Sequence, residues 1–350
     1  MKIKHKSHFN SNSAVKSFGV LADGSAVFEC ELKNGNGLVA KIITYGATLT
    51  SLKVPLKDES SVDVVLGFET LEQYLKSFDL PSAPYFGATI GRFAGRINEG
   101  AFSLDGATIN LGTNSNGNTL HGGSNSFSQK NWVIKKRTEG KNPSVTLSHI
   151  SPDGDNGFPG ELHIDLTYTL TETNELALEY IAHTTAKTII NLTHHSYFNL
   201  DGQAATVVNH ELKIKSQRIL DTISSGIPTG KFLNVANCPF DFSEGRLCPS
   251  KIDNTFVLNQ VKEYAASLYN STKTLKMSVF TNQPAVHVYV GGNCFSQLKG
   301  KEGADYTALS GVCFETQNFP DAPNHSHFPS CELDKGELYY HKTIYKFKAL

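Results

Sequence analysis

The sequence is poor in methionine, with 2 residues against 21 phenylalanines and 13 tyrosines. That balance suits pleated sheet, which favours aromatic over flexible side chains. There is no excess charge of either sign: 32 Lys and Arg stand against 33 Asp and Glu, a net of −1. A polyanionic partner, whether nucleic acid or acidic membrane, is therefore not expected. No apolar run approaches the roughly 18 to 20 residues of a membrane-spanning helix. The six cysteines, Cys30, Cys238, Cys248, Cys294, Cys313 and Cys331, are scattered without a C-x-x-C pair, which removes the simplest zinc and redox motifs. The basic opening stretch "MKIKHKSHFNSNSAVKS" has no apolar signal core, so the cysteines read as reduced thiols of a cytoplasmic protein rather than as disulfides. Residues 1–16 read as a disordered tail. There is no repeat of fixed period, no low-complexity segment and no Pro/Ser-rich linker. Residues 17–350 are thus expected to form one domain, with a division near residue 150 as the alternative.

What is present is mostly strand. Leu162, Ile164, Leu166, Tyr168 and Leu170 alternate with polar residues, "TETN" at 171–174 supplies a turn, and Leu176, Leu178, Tyr180 and Ala182 alternate again. Period-two alternation on both sides of a turn predicts a half-buried hairpin. Leu275, Met277 and Val279 repeat the pattern, as do Val286, Val288 and Val290, and "TYGATLTSLKVP" at 44–55 and "HKTIYKF" at 341–347 fit it. Helix signals are few. In "ETLEQYL" at 69–75, Thr70 and Gln73 have capping-box spacing, and Leu71, Tyr74 and Leu75 share a face. Many strands, frequent glycine turns and little helix predict an all-β protein, a large antiparallel sandwich or barrel.

Several polar residues stand out against that frame. "NLTHHSYFNL" at 191–200 reads as a strand with adjacent histidines. On a regular strand His195, Tyr197 and Asn199 share a polar face, while His194 joins Leu192, Ser196 and Phe198 on the apolar one. "NTLHGGSNSF" at 118–127 places His121 before two glycines, which permit tight turning or close approach to a ligand. "GATIGRFAGRINEG" at 87–100 carries Arg92 and Arg96 among small residues but fits neither Walker nor Rossmann spacing. In "GVCFETQNFPDAPNHSHFPS" at 311–330, Glu315 follows an apolar triplet, and a carboxylate emerging from a buried strand must be paired or perturbed. His325, His327 and Asp321 form a weak metal-like pattern better read as a polar loop. Asp253 precedes the apolar run of "DNTFVLN". No serine or cysteine nucleophile motif and no cofactor loop accompanies them. Taken together, His195, His121, Glu315, Asp253 and Arg96 would suit acid–base chemistry on a small polyhydroxylated ligand.

From about Phe18 to Phe347 the chain closely resembles the aldose 1-epimerase family. The resemblance is carried by "TYGATLTSLKVP", "VVLGF", "YFGATIGRFAGRI", "NTLHGG", "SPDGDNGFPGEL", "NLTHHSYFNL", "IDNTFVL", "FETQNFPDAPNH" and "TIYKF" in that order. It implies a mutarotase-like β-supersandwich with a sugar cleft and no cofactor or metal. It also implies a free aldohexose such as galactose or glucose as substrate, with acid–base ring opening and reclosure at C1. His195 and Glu315 match the catalytic positions, as acid and base respectively. Arg96, His121, Asp253 and, by proximity in the motif, Tyr197 match substrate-binding ones. Three departures concern substrate preference: Gly95 where family members often have Asn, Asn254 where His is common, and His287 where Gln is usual. Gly95 would lose a sugar contact, and His287 could still hydrogen-bond a sugar. The expected partner is a small aldose, with no nucleic acid or membrane, and the chain is expected as a monomer or homodimer. Three rival readings stand beside this one: a hexose 6-phosphate epimerase, a non-catalytic sugar binder on the same fold, and a metal-dependent sugar enzyme using His325 and His327.

Overall fold

A computed structural model describes residues 15–259, 263–290 and 297–350. Its strands form three main antiparallel sheets. The first is a five-stranded meander of Val15–Val20, Ala26–Lys33, Val39–Ile43, Thr48–Pro55 and Ser61–Asp63. The second has nine strands, with Leu162–Thr171 and Glu175–Thr184 at its centre beside Tyr339–Ala349 and Leu275–Thr281. The third has six, in the spatial order Tyr197–Phe198, Val312–Gln317, Ala285–Val290, Ile252–Val257, Arg218–Thr222 and Pro228–Asn234.

The expected hairpin is present, with Leu162 opposite Thr184 and Thr171 opposite Glu175. Leu162, Leu166, Tyr168, Leu170, Leu176, Leu178, Tyr180 and Ala182 are all fully buried. They pack in one cluster with Val286, Val288, Val312 and Phe314 from the six-stranded sheet. Alternation on both sheets thus closes a shared apolar layer, each large side chain contributing about 1.5–3 kcal/mol by leaving water. The helix runs over Leu71–Ser77, and Thr70 and Gln73 form the capping box in both directions. Leu71 and Tyr74 are buried beneath it, whereas Leu75 is only half-buried.

Two expectations need correction. Val15 and Lys16, assigned to a tail, begin a strand and pair with Cys30 and Glu29; ladder pairing to the second strand ties them down despite their position next to the terminus. Residues 1–14 lie outside the described part, as does Cys294. The stretch 192–199 is not one regular strand. Thr193–His194 pairs with Thr89–Ile90, Tyr197–Phe198 pairs with Val312–Cys313, and the ladder breaks between them at His195 and Ser196.

Candidate active site

The outer face of the six-stranded sheet is the floor of a polar cleft of about 220 Å³. Strand periodicity decides what lies on that floor. In Val312–Gln317 the even residues Val312, Phe314 and Thr316 turn to the sandwich interior, and Glu315 and Gln317 line the cleft. In Ala285–Val290, Val286 and Val288 go inward and His287 and Tyr289 outward; in Ile252–Val257, Asp253 and Thr255 face outward. Register sets them side by side. His287 lies directly opposite Glu315 on one neighbour and opposite Thr255 on the other. Such directly opposed residues have Cβ atoms about 5 Å apart, so the apposition follows from backbone pairing alone.

Loops complete the walls. His195 sits at the ladder break, with its Nε2 3.6 Å from Glu315 Oε1. Its Nδ1 is 3.6 Å from the Cys313 sulfur, two residues before Glu315 on the same face. Both His195 and Glu315 are buried, at 5% and 3% exposure. His194 points the other way, its ring edge-on to Tyr168 in the interior, and burial pushes it down to about 3. Alternation therefore survives the break: one histidine of the pair enters the cleft and the other enters the core.

His121 adopts a left-handed backbone, φ 52°, and its ring meets that of His195 edge-on at 5.5 Å. Burial, reinforced by repulsion from His195, Arg96 and His287, holds it well below the usual histidine range, so it is neutral. The Gly95 N–H donates to its Nδ1 at 3.3 Å. That fixes the tautomer with the proton on Nε2. Tyr85 packs against both rings, at 5.1 and 5.6 Å.

Arg96 and Arg92 separate cleanly. Arg96 lines the cleft, its backbone carbonyl accepting from Asp321 N–H, while Asp321 also accepts from Asn98 N–H. Arg92 is buried elsewhere and donates to the carbonyls of Pro159, Gly160, Ser151 and Pro152. It is the structural donor among glycines that the sequence allowed.

His287 is locked at both ring nitrogens, Nδ1 2.8 Å from Thr255 Oγ1 and Nε2 2.9 Å from Asp253 Oδ1. Burial opposes its charge, but the Asp253 hydrogen bond and charge outweigh that, and its pKa is raised. Burial likewise acts against ionised Asp253; His287, Arg96 and Lys251 reverse the balance and bring it down to about 2.

The cleft thus gathers His195, Glu315, His121, Arg96, Gly95, Asp253 and His287 from six separate stretches of sequence. The match to the aldose 1-epimerase family model covers residues 29–346. The chain belongs to the aldose 1-epimerase family. It is 40% identical to a galactose mutarotase of Homo sapiens over 343 residues, 95% of this chain and 97% of that one. It is 33% identical to an aldose 1-epimerase of Escherichia coli K12, covering 93% and 97%. The solved structure of a GalM/aldose epimerase homologue from C. elegans superposes with a TM-score of 0.84 at 30% identity, covering 92% of this chain and 99% of that one.

For this epimerase-family chain, three sequence expectations change on the structure. Tyr197 does not line the cleft. It is fully buried and packs its ring against that of His195 at 5.2 Å, because its strand runs beneath the loop that carries the histidine. Asn199 is also turned away, donating to the carbonyls of Ala205 and Ser310. His287 has no nitrogen left for a sugar. Cleft residues the sequence did not single out are Tyr85, Thr255, Tyr289 and Gln317. Gln317 shares the parity of Glu315 in the same motif, which was the available signal; its Oε1 is buried with no hydrogen-bond partner among the described residues.

The same cluster bears on metal binding. His121, His195 and Glu315 place ligand-capable atoms within 4.8 Å of one another. A metal-binding imidazole normally donates its second N–H to an acceptor, yet His121 Nδ1 accepts from a backbone N–H. That donor set does not fit a metal. His325 and His327 lie outside the cleft, His325 against Asp321 at 3.3 Å and His327 Nε2 2.7 Å from the Gly230 carbonyl.

Proposed function

We propose that this chain interconverts the α and β anomers of a free aldohexose, of the galactose and glucose type, by ring opening and reclosure. The observation that carries the reading is the buried Glu315–His195 pair, with oxygen and nitrogen 3.6 Å apart on the cleft floor. They are close enough to reach neighbouring oxygens of one hemiacetal.

Glu315, ionised, takes the proton of the C1 hydroxyl. The C1–O double bond forms as the bond from C1 to the ring oxygen breaks, and His195, protonated, gives its proton to that oxygen. Rotation about C1–C2 presents the other aldehyde face. The ring oxygen attacks it, returning its proton to His195, and Glu315 protonates the new C1 oxygen. Each positioned group contributes about 10²- to 10⁴-fold by general acid–base catalysis. No step needs an electron or group carrier. Neutral His121 offers its Nε2–H as a donor beside His195. Arg96 and the Asp253 carboxylate are assigned to the remaining hydroxyls, holding the sugar while C1 turns.

Among the described residues, the basic side chains lining the cleft are Arg96 and three histidines, of which His121 is neutral, with Arg92 committed to carbonyls. That supports an uncharged sugar over a hexose 6-phosphate. No helix among the described residues is long and apolar enough to cross a membrane. The test is polarimetry on freshly dissolved α-D-glucose, α-D-galactose and glucose 6-phosphate, with EDTA present. Faster decay to the same final rotation with the free sugars is expected. Acceleration of the phosphosugar alone, or loss of activity in EDTA restored by zinc, would overturn the reading.

A further inference from the structure

Three features lie outside the acid–base pair. The stacked His163 and His183 rings, at 4.8 Å, lie on the outward-facing side of the hairpin, with His163 tied to Glu161. A buried Lys301–Asp63 pair ties the loop around Lys301 to the meander and closes on Ser51 and the Thr50 carbonyl. The Asp253–His287–Thr255 array meets the cleft itself. The first two show nothing that points to a ligand; the third carries an inference.

Thr255, His287 and Glu315 are consecutive across three hydrogen-bonded strands. Thr255 Oγ1 and Asp253 Oδ1 both face His287, one at each ring nitrogen. Asp253 accepts from Nε2–H in either protonation state, while the Thr255 hydroxyl accepts from Nδ1–H of the imidazolium or donates to Nδ1 of the neutral ring; the two facing carboxylates favour the cation. Asp253 lines the cleft, and its Oδ2 is not used by the His287 bond. We infer that His287 is a positioning residue: as a cation clamped between Thr255 and Asp253, it orients the Asp253 carboxylate toward the sugar, and substrate affinity falls when it loses its proton.

The charges facing His287 are known from every side. Asp253 comes from the strand Ile252–Val257, Glu315 from Val312–Gln317, and Arg96 and His121 from the opposite wall. The two carboxylates favour the cation and Arg96 opposes it; His121 is neutral. Burial depresses His287 and the carboxylates overcome this. The cation is therefore held to higher pH than in a free histidine, and it is lost as pH rises past the raised value. Asp253, brought down to about 2, stays ionised throughout, so His287 is the partner whose titration removes the ion pair, leaving at most a neutral N–H donor toward the carboxylate.

This inference rests on the proposed epimerase reading, and its test separates the two. KM and kcat for α-D-galactose would be measured by polarimetry from pH 6 to 9 for the wild type and His287→Gln. Glutamine keeps one donor toward Asp253 but carries no charge. KM of the wild type is expected to rise about two- to fivefold on the alkaline side, the range of a partly exposed ion pair. His287→Gln should start at the raised KM and show no alkaline rise, with kcat lowered less than KM is raised. Identical KM profiles in the two proteins, or a variant that loses kcat with KM unchanged, would overturn the role. Nitrogen-15 NMR of labelled histidine gives a reading independent of turnover: an imidazolium at pH 7 is expected, and a neutral His287 ring refutes the clamp even if epimerase activity is absent.

Discussion

Acidification should destabilise this protein well before its carboxylates titrate, because histidines are buried uncharged. His194 and His341 are 3% and 1% exposed, and burial pushes each down to about 3 from 6.5. In the unfolded chain both take up a proton below 6.5; in the fold they do not until pH falls near 3. The unfolded state then binds more protons throughout that window, so stability falls as pH falls. At pH 5, 1.5 units below the unfolded value, each histidine costs about 2 kcal/mol, and the two together about 4 kcal/mol. His287, with its raised value, works in the opposite direction and offsets part of this. Urea unfolding at pH 7, 6 and 5 reads the slope. His194→Phe keeps an aromatic ring against Tyr168 and removes one titrating group. The variant should lose about 2 kcal/mol less than the wild type between pH 7 and 5. Parallel pH profiles for the two proteins would refute the reasoning.

Two further outcomes follow from single side chains. Arg92→Met would strip the donors from the carbonyls of Ser151, Pro152, Pro159 and Gly160; at about 1–3 kcal/mol for each buried group left unpaired, a loss of several kcal/mol is expected, and an unchanged melting temperature would contradict it. Gln317→Leu should raise KM for an aldose about fivefold, a loss of about 1 kcal/mol, because the substrate would lose the buried amide acceptor; KM equal to wild type would show that the amide does not meet the sugar.

Much of the cleft was legible because strand parity is written in sequence. The alternation around Val286 and Val288 predicted that His287 faces away from the core. The apolar triplet before Glu315 predicted a carboxylate leaving a buried strand. The pair His194–His195 was resolved correctly by parity even though the strand is broken between its two short ladders. What parity could not give was depth and pairing. Tyr197 has the right face for the cleft but lies beneath His195, since the strand that bears it is covered by its own preceding loop. Asn199 lies beyond the sheet and serves backbone carbonyls. The occupation of both His287 nitrogens depends on the register that sets Thr255 opposite it, and the sequence separates those residues by 32 positions. The Gly95 N–H that fixes the His121 tautomer is equally non-local. The family resemblance pointed directly to the residues of the proposed acid–base pair, but nothing in it indicated that His287 would engage Asp253 rather than a sugar.

The central claim is that Glu315 and His195 are the proton-transfer pair. The most direct measurement is the decay of optical rotation of α-D-galactose with wild type and Glu315→Gln at equal concentration, with circular dichroism confirming that both are folded. The account predicts acceleration by the wild type and a fall of about 10²- to 10⁴-fold in the folded variant. A folded Glu315→Gln protein that equilibrates the anomers at the wild-type rate would contradict it.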